Sequence, residues 1–447
     1  MIKIPRRRLL GYAVGSIGNG VFSTVPGLLL LYYLTNILGV SAALAGLVLI
    51  APKAWDVLFN PIVGAASDRE AVRTGHRTRI MLTGSVVMPV MFAIMFAVPS
   101  GLRSGSAAGW VASVFLLSAS AFACFQVPYV ALPAEISEFP EQRSRAMAWR
   151  IFFLSIGLLI AGGLAPAIVD AFGNGRAGYS AMGVGIGVVL AISAIGTTLA
   201  TRWIPSRPGH KPLRLPAALR SASGNKPFFA LLGGFVIQAL ATAIMLAGAP
   251  YLATYRLNDY GLTSVMFICF VAPSFVAVPA WWKLSQRYGT VRCYLASVIM
   301  FATAATAMYP AAAAESATAT LGCVAVLGLS YAALQLLPQS LLPETVHADA
   351  NRTGQAQSGA FTGIWTASET GAVALGPGLF AAVLALSSFK SAEFNAPVRQ
   401  SGDALTSLTL GATVLPGVLM LSSSLLVLVY HRITTSEHSD LRTEARV

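Results

Sequence analysis

The segment KAWDVLFNPIVGAASDR, from Lys53 to Arg69, sets two charged residues and an asparagine inside a run of apolar residues. Lys53, Asp56 and Asn60 are spaced i, i+3 and i+7, so on an α-helix they share one face. An ionised side chain at the centre of a bilayer costs roughly 2.5–3.5 kcal/mol even on the most lenient scale. Lys53, one turn from Asp56, would reduce that cost by charge compensation.

Three interpretations of this polar face stay open. In the first, Asp56 is a protonation or cation site and Lys53 modulates it. In the second, the two charges neutralise each other and only stabilise helix packing. In the third, both residues lie near the membrane surface and extend their charged ends towards water.

The composition of the chain is that of an integral membrane protein. Of its 447 residues, 55% are hydrophobic and 11% are charged, and the mean hydropathy is +0.69. Soluble domains contain about 25% charged residues. A helix that crosses a bilayer needs roughly 20 mostly apolar residues, which leaves room for about twelve of them.

Apolar runs bounded by charged or Gly/Pro-rich turns predict an all-α integral membrane protein with twelve transmembrane helices. The predicted spans are 11–37, 42–66, 79–98, 107–132, 147–171, 179–203, 227–253, 262–284, 292–312, 317–342, 357–386 and 406–430.

The formal net charge of +13 reflects membrane topology. Basic residues fall in KIPRRR, DREAVRTGHRTR, RWIPSRPGHKPLRLPAALR and the tail after Tyr430, and the loops between these are nearly free of Lys and Arg. This is the positive-inside pattern, not a nucleic-acid surface. It predicts a multi-pass protein of the bacterial inner (plasma) membrane with both termini in the cytoplasm.

A weak internal repeat predicts two related halves. VPYVALPAE (127–135) and LPQSLLPE (337–344) end the fourth span of each half with the same spacing of prolines. Repeats of this kind are typical of secondary transporters. The predicted parts are an N-terminal six-helix bundle (1–203), a cytoplasmic linker (204–226), a C-terminal six-helix bundle (227–431) and a tail (432–447).

Three segments carry a family resemblance: WDVLFNPIVGAASDR (55–69), VPYVALPAEISEFPEQRSRAMAWRIFF (127–153) and RTGQAQSGAFTGIWTASETGAVALGP (352–377). The chain resembles the glycoside–pentoside–hexuronide:cation symporters of the major facilitator superfamily. The resemblance implies two pseudo-symmetric six-helix bundles, alternating access and cation-coupled uptake of small glycosides.

The working residues of that family are only partly present. Three positions are retained. Asp56 is the first carboxylate of the cation pair, Lys53 is the basic residue before it, and Arg150 is the arginine of the fifth helix. Five positions are replaced. Asn60 stands in place of the second carboxylate, Gly20 and Gln126 in place of two sugar-site aspartates, Ala123 in place of a cation-liganding threonine, and Thr370 in place of the eleventh-helix lysine.

These replacements favour a proton over sodium as the coupling ion. Hard cations need several oxygen ligands, preferably anionic, and here one carboxylate and one threonine are replaced, by Asn60 and Ala123. A proton needs one titratable carboxylate, so we expect coupling through Asp56, with Asn60 and Lys53 beside it. Glu369 is either a second proton site or a partner of Lys53 or Arg150 across helices. No organic cofactor and no metal are expected.

The predicted substrate is a small organic solute, either glycoside-like or amphipathic. The candidate substrate-binding residues are Gln126, Tyr129, Arg150, Thr370, Asn19, Gly20, Gln335 and Trp365. By resemblance, Asp68, Arg69, Glu135 and Arg145 latch a cytoplasmic gate; simple topology signals explain these four equally well.

Other function classes have less support. The five histidines lie in loops or at the end of the last span, and no HExxH or nucleophile motif accompanies them, so an enzyme is not expected. The alternatives are an uncoupled transporter, a lipid or lysolipid transporter, or a non-transporting receptor on the same scaffold. The expected partners are the solute and the lipid bilayer, with the chain as a monomer.

Overall fold

The computed structural model of the chain describes residues 5–136, 140–205, 224–353, 358–392 and 399–444. Within these ranges it describes the side chains except those of 57, 133–136, 140–141, 143–144, 347–353, 358–360 and 436–444. The side chain of Glu135, a predicted gate residue, and most of the predicted linker 204–226 therefore lie outside what is described.

The described residues form fifteen α-helices, with π-helical turns at Pro26–Leu30, Tyr33–Ile37 and Ile160–Leu164. The helices are α1 Arg6–Ala13, α2 Gly15–Val25, α3 Ala42–Thr74, α4 Thr78–Phe96, α5 Ser104–Ile136, α6 Pro140–Leu159, α7 Ala165–Ala171, α8 Arg176–Ala200, α9 Lys226–Tyr255, α10 Leu262–Tyr288, α11 Thr290–Ala313, α12 Ala317–Thr353, α13 Ser358–Leu386, α14 Gly402–Ala412 and α15 Val414–Glu444.

Twelve of the helical segments are long and apolar enough to cross a membrane, which confirms the predicted fold class. Spans 1 to 12 are Arg6–Leu30, Ala42–Thr74, Thr78–Phe96, Ser104–Leu132, Arg145–Ala171, Arg176–Ala200, Lys226–Tyr255, Leu262–Tyr288, Thr290–Ala313, Ala317–Val346, Phe361–Leu386 and Gly402–Thr435.

Span 2 continues eight residues beyond its predicted end at 66. The polar sequence after Ala66 contains no glycine or proline before Gly75, so nothing in it stops the helix. Gly75 then adopts φ 73°, and its N–H donates to the carbonyl of Ala71. A left-handed glycine of this kind is a common helix stop, and it places Asp68 and Arg69 on the helix rather than in a loop.

The chain divides into two compact units. Unit 1 comprises Met1–His210, Asp259–Phe267 and Leu384–Ser401, and unit 2 comprises Lys211–Asn258, Ile268–Val383 and Gly402–Val447. The short segments of unit 1 are tied to its main part by specific contacts. The hydroxyls of Tyr260 and Tyr179 lie 3.1 Å apart, and burial raises the pKa of the Tyr260 phenol. The Ala392 N–H donates to the Thr35 carbonyl at 3.0 Å.

Helices of unit 1 meet at glycines. A Cβ added to Gly20 of span 1 would lie 2.9 Å from the Leu154 carbonyl oxygen of span 5, and one added to Gly84 of span 3 would lie 2.5 Å from the Ala121 oxygen of span 4. Because lipid gives helices no hydrophobic drive to associate, such close backbone approach supplies much of their packing energy.

Unit 2 combines a similar glycine contact with a buried polar network. A Cβ on Gly376 would lie 2.3 Å from the Ala243 side chain. The Tyr294 hydroxyl donates to Gln238 Oε1 at 2.8 Å, and Gln238 Nε2 donates to Ser423 Oγ at 3.0 Å. All three side chains are buried, so the network joins spans 7, 9 and 12 through fully paired polar groups.

Candidate transport site

The charged residues of span 2 form an ion pair. Lys53 Nζ lies 3.7 Å from Asp56 Oδ2, and the two side chains are 29% and 17% exposed. Both therefore lie largely within protein rather than at a fully open surface. The structure resolves which partner faces Lys53 within unit 1: it is Asp56, one turn along the same helix.

Asn60 lies one turn beyond Asp56 and is exposed. Since residues four apart lie on the same helix face, its amide continues the face that carries the ion pair. The same segment is anchored to span 4, because the Trp55 indole N–H donates to Ser120 Oγ at 2.9 Å. Trp55 also stacks on Phe59, with ring centroids 5.5 Å apart.

A second polar cluster joins spans 1, 4 and 5 in unit 1. Tyr129 is fully buried, and its hydroxyl lies 2.6 Å from Ser16 Oγ. The Tyr12 ring stacks on Tyr129 with centroids 4.9 Å apart. The Arg150 guanidinium carbon lies 5.7 Å from the centre of the Tyr129 ring, which is within the range of a cation–π contact.

The remaining predicted substrate residues of unit 1 differ in their surroundings. Asn19 is buried, and its Oδ1 has no hydrogen-bond partner among the described residues. Gln126 is half-buried on span 4, one turn before Tyr129. Gly20 is buried at the contact with span 5, so its position serves close helix packing and has no room for an aspartate side chain.

The candidate residues of unit 2 gather on spans 10 and 11. Gln335 Nε2 donates to the Tyr331 hydroxyl one turn earlier. The ring centroids of Tyr331 and Phe270 lie 4.8 Å apart. Within unit 2, no basic nitrogen of a described residue lies within 4.0 Å of the Glu369 carboxylate.

Two predicted residues of span 11 make local contacts. The Thr370 hydroxyl donates to the Thr366 carbonyl of its own helix at 2.8 Å, and Thr370 is exposed. Trp365 is buried and stacks on Phe235 of span 7 with centroids 4.4 Å apart. The structure thus brings Tyr331 and Gln335 together and places Trp365 in the packing of unit 2.

Among the predicted gate residues, Asp68 has a partner within unit 1. Asp68 Oδ1 accepts from Arg77 Nη1 at 2.6 Å, and the same nitrogen lies 2.9 Å from Ser67 Oγ. Arg77 is buried, whereas Arg69 and Arg145 are exposed. Glu70 caps the next helix, since its carboxylate accepts from the backbone N–H of Arg79 and of Ile80.

Sequence reasoning missed four polar or aromatic contributors: Tyr12, Ser16, Arg77 and Tyr331. A signal was available for three of them. Tyr12 and Ser16 are polar residues four apart in an apolar span, and Tyr331 stands four residues before Gln335, so each pair shares a helix face. Arg77 had no such signal because its pairing with Asp68 depends on how the chain turns at Gly75.

Comparison with known proteins decides the family. Residues 11–434 match the model of a family described as MFS/sugar transport protein. The chain belongs to this family. The match confirms the resemblance to the glycoside–pentoside–hexuronide:cation symporters of the major facilitator superfamily. With its twelve apolar helices, this family member is a multi-pass membrane protein.

Individual relatives of this transporter-family member are distant. It is 22% identical over 268 residues to a glucuronide carrier protein homolog of Escherichia coli K12, covering 59% of this chain and 58% of that protein. It is 24% identical over 374 residues to the mouse sodium-dependent lysophosphatidylcholine symporter 1, covering 75% of this chain and 69% of that protein. The chain spans 59% and 64% of the length of two further relatives and 95% of that of an uncharacterized symporter of Synechocystis.

The fold is shared with solved transporters. A bacterial homolog of the human lysosomal transporter Spinster, in an inward-facing and occupied conformation, aligns with a TM-score of 0.72 at 14% identity. The alignment covers 95% of this chain and 96% of that one. At this identity the likeness describes the fold alone.

Proposed function

We propose that this protein is a secondary active transporter that moves a small organic solute by alternating access, with Asp56 as the group that binds and releases the coupling proton. The proposal adds a solute, a coupling ion and a residue to the family assignment. It rests on the retained carboxylate of Asp56 and on the replacement of cation ligands at Asn60 and Ala123.

The Lys53–Asp56 ion pair is the observation that carries the proposal. It places the carboxylate of span 2 one turn from an ammonium group, 3.7 Å away. Protonation of Asp56 would remove the negative charge and leave Lys53 without its counter-charge. A change of one proton therefore changes the charge of the site, as an ion-coupled transporter requires.

The ligand set favours a proton over sodium. A sodium site needs several oxygen ligands. Position 60 offers a neutral amide, and Ala123, at 2% exposure, offers no side-chain oxygen. Sodium is the competing possibility because the mouse relative is described as sodium-dependent.

Arg150 favours a solute that carries an anionic group. Its guanidinium lies over a buried tyrosine, and its Nη1 donates to Met147 Sδ at 3.9 Å. No carboxylate among the described residues pairs with it, so its forked donors suit the oxygens of an anionic group. Glucuronides and lysophosphatidylcholine, the compounds in the names of two relatives, each join a carboxylate or phosphate to an organic body. We therefore extend the proposal to sugar-like or amphipathic solutes that carry a carboxylate or phosphate group.

The cellular setting follows from the charge pattern. Basic segments on one side of the spans favour a cytoplasmic location for both termini in a bacterial plasma membrane. The surrounding bilayer and the solute are the proposed partners of a monomeric chain.

Two linked measurements test the proposal. Purified protein is first screened by thermal shift against neutral glycosides, glucuronides, lysolipids and organic acids, since a compound that binds the folded state raises the melting temperature. A stabilising compound is then followed in proteoliposomes under a proton gradient or a sodium gradient alone. Accumulation driven by the proton gradient supports the proposal. Dependence on sodium without any response to pH overturns proton coupling, and flux that only follows the solute gradient shows uncoupled transport.

A further inference from the structure

Two arginine–tryptophan contacts join the first turn of span 1 to the ends of spans 5 and 6. The guanidinium carbon of Arg6 lies 5.2 Å from the Trp149 ring centre, and that of Arg8 lies 4.6 Å from the Trp203 ring centre. We refer to these four residues as the arginine–tryptophan cluster. Nothing in the transport proposal uses it.

All four residues lie at one end of unit 1. Arg6 is the first residue of span 1, Trp149 follows four residues after the start of span 5, and Trp203 follows three residues after the end of span 6. Odd-numbered spans begin on the side where even-numbered spans end, so the cluster lies at one membrane–water boundary. Tryptophan is enriched at that depth, level with lipid headgroups.

The cluster is held in place by its neighbours. Thr197 Oγ1 of span 6 donates to the Gly11 carbonyl at 3.0 Å, and a Cβ on Gly11 would lie 2.6 Å from the Ala200 side chain. Beyond span 6, a hydrogen bond of 3.0 Å joins His76 Nδ1 to the Ile204 carbonyl. The turn that carries Trp203 is therefore fixed on both sides.

Among the described residues, the donor groups of the cluster have no acceptor within hydrogen-bonding distance. Arg6 and Arg8 are exposed, as is Arg7 between them, and no carboxylate among the described side chains lies within 4.0 Å of any of the three. The indole N–H of Trp203 is buried, and the described part of the chain offers it no acceptor. Forked guanidinium groups without a protein partner suit the oxygens of a phosphate group.

Apolar surface continues from the cluster along the spans. Phe152, one turn from Trp149, is 54% exposed, and Leu199, four residues before Trp203, is 45% exposed. Phe152 also packs edge-on against the Trp149 ring at 6.0 Å. A ligand that combines a phosphate with an acyl chain would contact both parts of this surface, whereas free phosphate would contact only the arginines.

We propose that the arginine–tryptophan cluster binds the headgroup phosphate of an anionic phospholipid from the adjoining leaflet. The inference is independent of the solute and of the coupling ion. Basic pockets between spans at a membrane boundary suit anionic lipids. Arginine stacked on tryptophan also keeps its donors pre-organised for the phosphate.

The test uses the full-length protein purified in neutral detergent. Its melting temperature is followed while phosphatidylglycerol, phosphatidylcholine or inorganic phosphate is added at fixed ionic strength, and native mass spectrometry counts bound lipids. Phosphatidylglycerol should stabilise the wild type more than phosphatidylcholine. In the double variant R6Q/R8Q, half-maximal stabilisation should need roughly 10- to 30-fold more phosphatidylglycerol, because each arginine near a membrane surface contributes about 1 kcal/mol.

The control R103Q/R432Q removes the same charge from exposed sites elsewhere and should behave as the wild type. Should R6Q/R8Q fold poorly without lipid, R6K/R8K retains the charge without the forked geometry and should fall between the two. Equal responses of the wild type and R6Q/R8Q would overturn the proposal. So would equal effects of the two lipids, or stabilisation by inorganic phosphate as strong as that by phosphatidylglycerol.

Discussion

Lys53 Nζ lies 3.7 Å from Asp56 Oδ2, one helical turn apart on span 2, with both side chains largely buried. The pair is the only ion pair that the described residues form within a membrane span away from its ends. Its position between Pro52 and Pro61 places it on a helix whose backbone hydrogen bonding is interrupted on either side. The pair thus combines two opposite charges, side chains that are largely buried, and a helix backbone with missing hydrogen bonds on either side.

Removing one member of this pair should destabilise the protein, and removing both should restore part of the loss. We expect Lys53→Met to lower the free energy of unfolding by about 1–3 kcal/mol, between the values for exposed and buried pairs, because it leaves Asp56 without its counter-charge. The double variant K53M/D56N should be more stable than K53M alone. Unfolding midpoints in detergent measure both, with Lys283→Met, an exposed lysine, as the control. Equal midpoints for K53M and the wild type would contradict a stabilising pair.

A second carboxylate on the same helix face should change ion selectivity. In Asn60→Asp the carboxylates at 56 and 60 lie one turn apart, which supplies the anionic oxygens that a hard cation prefers. We expect this variant to gain sodium-stimulated flux, measured in proteoliposomes at constant pH. Asn60→Ser, which adds no charge, should not gain it. If sodium does not change the flux through N60D, the side chain at position 60 does not select the coupling ion.

Gly20 should tolerate no side chain. A Cβ there would lie 2.9 Å from the Leu154 carbonyl oxygen, so Gly20→Ala is expected to cost about 1–3 kcal/mol of stability by overpacking, and Gly20→Asp should cost more. Gly109 provides a matched helical glycine with open space around it, and Gly109→Ala should be neutral or slightly stabilising. Thermal unfolding of the three variants makes the comparison. A G20A variant as stable as G109A would show that spans 1 and 5 are not tightly packed there.

The aromatic ring beneath Arg150 should matter more for solute binding than its hydroxyl. Tyr129→Phe removes the 2.6 Å contact with Ser16 and keeps the ring beneath the guanidinium. Tyr129→Leu removes both. We expect Y129F to bind a stabilising glucuronide or lysolipid nearly as well as the wild type, and Y129L to bind it several-fold more weakly. Calorimetric titration measures the affinities. The reverse order would indicate that the hydroxyl, not the stacked arginine, contacts the solute.

Much of the architecture could be predicted because lipid imposes a simple rule. A spanning helix must satisfy its own backbone and present apolar side chains, so runs of hydrophobic residues gave all twelve spans. Span 2 extends past its predicted end because the charged residues after Ala66 remain helical until Gly75 stops the helix.

The candidate site was predictable only where partners lie on one helix. The spacing of Lys53 and Asp56 predicts their contact directly. The contacts of Tyr129 with Ser16 and of Arg77 with Asp68 depend on helix–helix packing and on a turn, which no local pattern encodes. Gly20 shows the converse. Its alignment with a sugar-binding aspartate suggested a site, but a buried backbone contact accounts for the glycine.

Flux through Asp56→Asn is the most direct measure of the central claim. Proteoliposomes containing the wild type or D56N receive an inward proton gradient without sodium, and uptake of a solute found by thermal shift is compared with its exchange when solute is present on both sides. We predict that D56N loses uphill accumulation and retains exchange, because the variant binds solute but cannot carry the proton. Full accumulation by D56N would contradict the assignment of Asp56 as the coupling residue.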